Sequence, residues 1–367
     1  MIVAAIIIAF LLDQIRHVES SHAALMWLGS WIDAVAGRMD ASGRRDAWLA
    51  WSLAVAAPAL AAVLIDWLCM RITGGFGQLA WAVAVLYFTL GFRQFSYRYT
   101  AIRDALAAGD PEQARALLAH WDEADTGYPG PVSGDGARQD MARDAIVRAV
   151  IVRAMLSAHR WVFGVLFWFC LFASVGLGPA GAVLYRCAEF AARYWQNKAD
   201  SRQPASPALL AAAQAAWRVI DWLPVRVTAL TLAVVGNFED AIAAWRRRDT
   251  DDARDNAGGG AGQGNDAILL AAAAGALGIR LDIDNHAAAP GAPQAQPAPA
   301  QTGADAPVYP PYPPDLEPDA PPAADASGLS GAELDTRHFV QVAGLLWRGV
   351  ALWLLLLVLL TLAHVLG

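Results

Sequence analysis

His159 and Arg160 are adjacent at the start of an apolar stretch and together offer the chemistry of an anion site. A guanidinium presents its N–H donors as a fork that suits phosphate or carboxylate, and a neighbouring imidazole can add to it. An ionisable side chain in or beside a membrane segment is a functional candidate by default, because its desolvation is costly. The structural alternative is that both side chains reach out to lipid head groups. Arg226 raises the same question two residues after Pro224, inside DWLPVRVTALTLAVVG. Asp221 on the same segment or Glu189 on a neighbouring helix would neutralise it, and a structural Asp–Arg pair is expected. Arg348, in the last apolar run, is expected to reach the interface or pair within the bundle.

Other chemistries lack their residues. There is no GxGxxG opening a helix after a strand, no GxxxxGK[ST], no HExxH and no GxSxG. Cys69, Cys170 and Cys187 lie in or beside apolar segments without metal-ligand spacing, which predicts small hydrophobes with no disulfide framework and no metal. The net charge is −7 and Lys198 is the only lysine, so the cationic surface is almost all arginine. No tract is basic enough to make nucleic acid an expected partner.

The segments that must position these residues are built for lipid. The chain is 56% hydrophobic and only 17% charged, against about 25% charged in ordinary soluble domains. Ala343–Leu366 is almost unbroken apolar sequence, and at ~1.5 Å per residue it can cross a ~30 Å hydrocarbon core. Ala47–Met70 is a second span, with Pro58 tolerated if a neighbouring helix satisfies the carbonyl it frees. A Gly-rich turn at Thr73–Gly77 leads to a span over 78–92, making a hairpin. Trp161–Tyr185, broken by Gly176-Leu177-Gly178-Pro179, reads as one kinked span or a re-entrant pair. Several of the 15 tryptophans fall at segment ends, where amphipathic rings suit a membrane interface.

The resulting expectation is an all-α, polytopic integral membrane bundle with a helical cytoplasmic insertion. Its regions are a membrane region over 1–92, an arginine-rich insertion over 93–160, membrane or re-entrant helices over 161–286, a linker over 287–330 and a final transmembrane helix over 331–367. The arginines of the insertion place it on the cytoplasmic side. The linker, rich in Pro, Ala and Asp, cannot bury enough apolar surface to fold. The lipid bilayer is the expected partner.

The order of these pieces resembles the CobD/CbiB family of adenosylcobinamide-phosphate synthases. The likeness rests on the apolar start ending at Asp13, Trp27-Leu28-Gly29, Arg93 after the second span, and Asp110, Arg115 and Asp125-Thr126 in the insertion. Leu223-Pro224-Val225-Arg226 and Ala274–Ile279 complete it. The resemblance implies a multi-pass bacterial inner-membrane protein whose site draws on Arg93, Asp125, Thr126, His159, Arg160, Arg226 and Asn265. Several acids of the family pattern are missing here: Met155–Phe167 stands where the family has a Glu–Asn pair and Asp-Gly, and Cys187–Trp195 keeps only Glu189.

The resemblance is nearest to the AmpE branch, which implies a non-catalytic regulatory or sensory protein associated with β-lactamase induction. It would have no cofactor, and its partner would be an anionic small molecule or a corrinoid. The alternative it implies is a divergent synthase, which attaches aminopropanol or its phosphate to adenosylcobyric acid by ATP-dependent amide formation and needs ATP and Mg²⁺.

Overall fold

A computed structural model describes residues 2–15, 20–39, 43–90, 92–126, 143–200, 206–257, 264–279, 281 and 337–366. Every regular element among them is helical. The 287–330 linker falls outside the described residues. Three helices are long and apolar enough to cross a membrane, over Arg44–Thr73, Ala145–Ser174 and Arg337–Ala363. Large apolar side chains stay exposed along them, among them Leu53, Leu60, Leu64 and Trp67 on the first and Leu355, Leu359 and Leu360 on the last. Such rows are a liability in water and an ordinary lipid-facing surface in a bilayer.

α3 (Arg44–Thr73) and α4 (Gly75–Thr89) form a hairpin, α1 (Ile2–Ile15) packs on α4, and α2 (Ser20–Arg38) lies against α3. The hairpin turns at Gly74, whose φ of 69° favours glycine. α5 (Phe92–Ala107) and α6 (Pro111–Thr126) form the described part of the arginine-rich insertion. Asp110 caps α6, its Oδ1 accepting from the Gln113 amide at 2.9 Å.

The third span begins earlier than the apolar run suggests. α7 (Arg143–Ala158), a π-helical turn (His159–Phe163) and α8 (Gly164–Ser174) follow one another without interruption, through the expected 160/161 boundary. The chain then turns at Gly176–Pro179, and Ala180–Tyr185 belongs to the next helix rather than to this span. Helix pattern outweighed hydropathy here: the arginines of α7 sit among buried Ile146, Val147, Val150 and Ile151, which fix it to the core.

α9 (Ala180–Asp200) runs antiparallel to α3. Gly178, just before it, lies against Asp66 near the end of α3, while Tyr194 and Lys198 bond Asp33 on α2, which precedes Arg44. α10 (Pro207–Val235), α11 (Phe238–Ala257) and α12 (Gly264–Leu277) pack in sequence, and α13 (Arg337–Leu366) closes the bundle. The Asp221–Gly236 stretch, expected to be a short re-entrant piece, is the second half of the 29-residue α10.

Both interior prolines free a carbonyl four residues earlier, and an indole takes each one. Trp31 Nε1 donates to the Ala54 carbonyl, opposite Pro58, at 3.2 Å. Trp168 Nε1 donates to the Ile220 carbonyl, opposite Pro224, also at 3.2 Å. Neighbouring helices thus supply the hydrogen bonds that proline removes.

Candidate functional site

A polar seam runs through the apolar interior where the π-helical turn, α9, α10 and α12 meet. At its centre His159 is fully buried, with Nε2 2.9 Å from Asp221 Oδ1 and Nδ1 2.9 Å from Thr228 Oγ1. Tyr185 Oη donates to the same Asp221 oxygen at 2.9 Å. The Thr228 hydroxyl donates to the Pro224 carbonyl at 2.9 Å, so both imidazole nitrogens face oxygens able to accept. Asp221 Oδ2 makes no hydrogen bond among the described residues.

Local sequence explains how these groups meet. His159 and Arg160 open the π turn, and as consecutive helical residues pointing about 100° apart they reach two different helices, α10 and α12. Arg160 Nη2 donates to Asp266 Oδ2 at 2.5 Å. Gly164 leaves room for Tyr185: a Cβ there would lie 2.2 Å from the phenol oxygen. Asp221 follows the carbonyl that Trp168 holds at the proline bend.

The seam continues along one face of α9. Arg186, Glu189, Arg193 and Asn197 recur at helical spacing, while Cys187, Phe190, Ala191 and Tyr194 pack the adjacent face against α2 and α3. Arg186 Nη1 donates to Glu189 Oε2 at 2.9 Å and its guanidinium stacks 3.6 Å above the Trp161 ring. Arg193 Nε pairs with the other Glu189 oxygen. Burial pushes the Glu189 carboxyl up, but the guanidinium groups of Arg193, Arg186 and Arg160 prevail and hold it below the usual range.

Two of the sequence candidates, His159 and Arg160, therefore meet in the seam. Arg226 does not: its expected pairing with Asp221 or Glu189 is absent. Its guanidinium lies 4.2 Å over the exposed Trp222 ring and only 3.9 Å from Asp249 on α11, while Asp221 belongs to His159 and Tyr185. The reason is angular, since five residues along an α-helix rotate by about 140°, away from a shared face. Asn265 Nδ2 donates to the Arg218 carbonyl at 3.0 Å, a structural bond beside the seam residue Asp266. The backbones of Arg93, Asp125 and Thr126 lie in α5 and α6, but their side chains fall outside the described residues.

Sequence reading passed over Tyr185, Thr228, Asp266 and the two α9 arginines. Their signal was the stripe at 186, 189, 193 and 197, visible once α9 is treated as one amphipathic helix.

The carboxylates missing from the expected positions are partly replaced. Arg160 lies within electrostatic reach of Asp266, Glu189 and Asp221, three acids on three helices. Glu189 and Asp266 are already held by arginines, and Asp221 by His159 and Tyr185. Among the described residues no three His, Cys, Asp or Glu side chains converge as metal donors. Mg²⁺ requires oxygen ligands free of such pairing, so the seam does not fit a resident Mg²⁺.

The model of the CobD/Cbib protein family matches residues 3–302. The chain belongs to the CobD/CbiB family. A similar protein of that family, the cobalamin biosynthesis protein CobD of Chromobacterium violaceum, is 30% identical over 282 residues, 75% of this chain and 79% of the relative. A second cobalamin biosynthesis protein CobD, from Stutzerimonas stutzeri, is 28% identical over 234 residues, 63% of this chain and 65% of the relative. Neither of these CobD proteins ties the chain to the AmpE branch suggested by its missing acids. No solved structure matches the chain.

Proposed function

We propose that this CobD/CbiB protein works in cobalamin biosynthesis as a divergent adenosylcobinamide-phosphate synthase. In that role it joins aminopropanol or its phosphate to adenosylcobyric acid by amide formation. The observation that carries the reading is the family match over residues 3–302, with both relatives named for cobalamin biosynthesis. The buried seam supports it, because so many ionisable groups inside an apolar bundle are costly unless used. The chain's own residues would bind and orient: Arg160 and Arg193 offer donors to an anionic substrate group, and His159 is fixed by Asp221 and Thr228. No step is routed through Mg²⁺ or ATP at this seam.

One observation favours a second, regulatory reading of the AmpE kind: two of the three seam carboxylates, Glu189 and Asp266, are tied up in pairs with arginines. Complementation of a strain lacking the synthase, scored as growth that depends on corrinoid completion, separates the two. Growth restored by the wild-type chain and abolished by Arg160→Gln is expected. No growth from well-expressed wild-type protein overturns the synthase reading in favour of the regulatory one.

A further inference from the structure

The far end of the α9 stripe presents donors with no acceptor. Arg193 Nη2 and Asn197 Nδ2 are both shielded from solvent and make no hydrogen bond among the described residues. They sit four residues apart on one helix, so their side chains lie one above the other on a single face. Elsewhere in the seam each charged group has a partner: Asp221 takes His159 and Tyr185, Asp266 takes Arg160, and Glu189 takes Arg186 and Arg193, although Asp221 Oδ2, Asp266 Oδ1 and Arg160 Nε make no hydrogen bond among the described residues. Two adjacent donors left open, one of them cationic, call for an acceptor that the described protein does not provide.

We infer that Arg193 and Asn197 form a binding site for the phosphate group of a ligand. A guanidinium edge and an amide N–H in line provide the convergent donors that a tetrahedral oxyanion accepts. Glu189 would repel such a ligand, but it is shared between two guanidinium groups, and Arg160 lies within reach of it.

The location favours entry from solution. Tyr194 and Lys198 reach Asp33 on α2, so this end of α9 lies toward the exposed Arg44 and Arg45 that begin α3. Arginine-flanked ends of spans face the cytoplasm. The site depends on the biosynthetic reading only for which molecule carries the phosphate.

The test uses full-length protein in maltoside detergent, with inorganic phosphate titrated against chloride at constant ionic strength. Expected is a saturable rise in the thermal midpoint that Arg193→Gln and Asn197→Asp each weaken at least tenfold and Arg226→Gln leaves unchanged. Asn197→Asp keeps the side chain's size, so loss of binding there is not a packing effect. Where Arg193→Gln fails to fold, the Asn197→Asp result decides alone.

No saturable shift, or equal affinity in the variants, overturns the proposal and assigns the open donors to a bound water. Glycerol phosphate and a short-chain phosphatidylglycerol, added separately as competitors, distinguish a soluble phosphate ester from a lipid head group. Complementation without any phosphate effect removes this inference alone. Phosphate binding without complementation removes the biosynthetic reading alone.

Discussion

α3 and α10 are broken by proline in the same way and repaired in the same way, yet only one of them carries polar chemistry at the bend. In α3 the neighbours of Pro58 are alanines and a leucine, and the Trp31 indole restores a stretch of helix with no polar side chain at the proline. In α10 the carbonyl held by Trp168 is followed at once by Asp221, and Pro224 O accepts the hydroxyl of Thr228, both of which hold His159. The repair is therefore a general requirement of helices in an apolar medium, while the use made of the bend depends on the next side chain. A proline with an indole opposite its freed carbonyl does not mark a site; an ionisable residue beside that carbonyl does.

The comparison can be broken most forcefully at Asp221. Asp221→Ala leaves His159 and Tyr185 buried without their shared acceptor and should cost about 3–5 kcal/mol, read as a collapse of folded yield and thermal midpoint in detergent. A stable Asp221→Ala protein would mean that water replaces the carboxylate and that the seam is wetter than its packing suggests.

The two indoles give the sharpest contrast. Trp31→Phe and Trp168→Phe each leave a buried carbonyl unbonded and should cost about 1–3 kcal/mol in thermal or denaturant unfolding. Complementation should separate them, with Trp168→Phe losing roughly tenfold or more in rate because Asp221 shifts, and Trp31→Phe retaining function. Equal functional losses would erase the distinction between the two bends.

Gly164→Ala drives a methyl into Tyr185 and should destabilise by about 1–3 kcal/mol, with His159 losing its fixed surroundings. The smallest effect is expected at Arg226, whose exposed stacking on Trp222 and distant Asp249 leave Arg226→Gln within about 0.5 kcal/mol of wild type. A large loss there would return Arg226 to the candidate site.

Much of this arrangement was legible in the chain. Hydropathy located α3 and α13, the demand that a freed carbonyl be satisfied anticipated a neighbouring helix supplying the bond at Pro58, and the adjacency of His159 and Arg160 singled out two residues of the seam. Less visible was which acid meets which base. Asp221 is near Arg226 in sequence and far from His159, but helical rotation carries it away from Arg226, and contact across helices brings it to His159. The α9 stripe was hidden because Ala180–Tyr185 was assigned to the preceding apolar region, which divided one amphipathic helix into two. The start of α7 was obscured by its arginines, whose charge outweighs its buried isoleucines and valines in any hydropathy average.

The widened turn at His159–Phe163 amounts to an extra residue accommodated inside a membrane helix. Any chain of similar sequence without that residue would have everything beyond the turn rotated by about 100° relative to what precedes it. It would then bring a different side chain to Asp221, or none. Counting residues between the α7 isoleucines and Gly164 is thus a simple way to sort relatives, separating those able to hold a basic residue against that acid from those that have only the bundle in common.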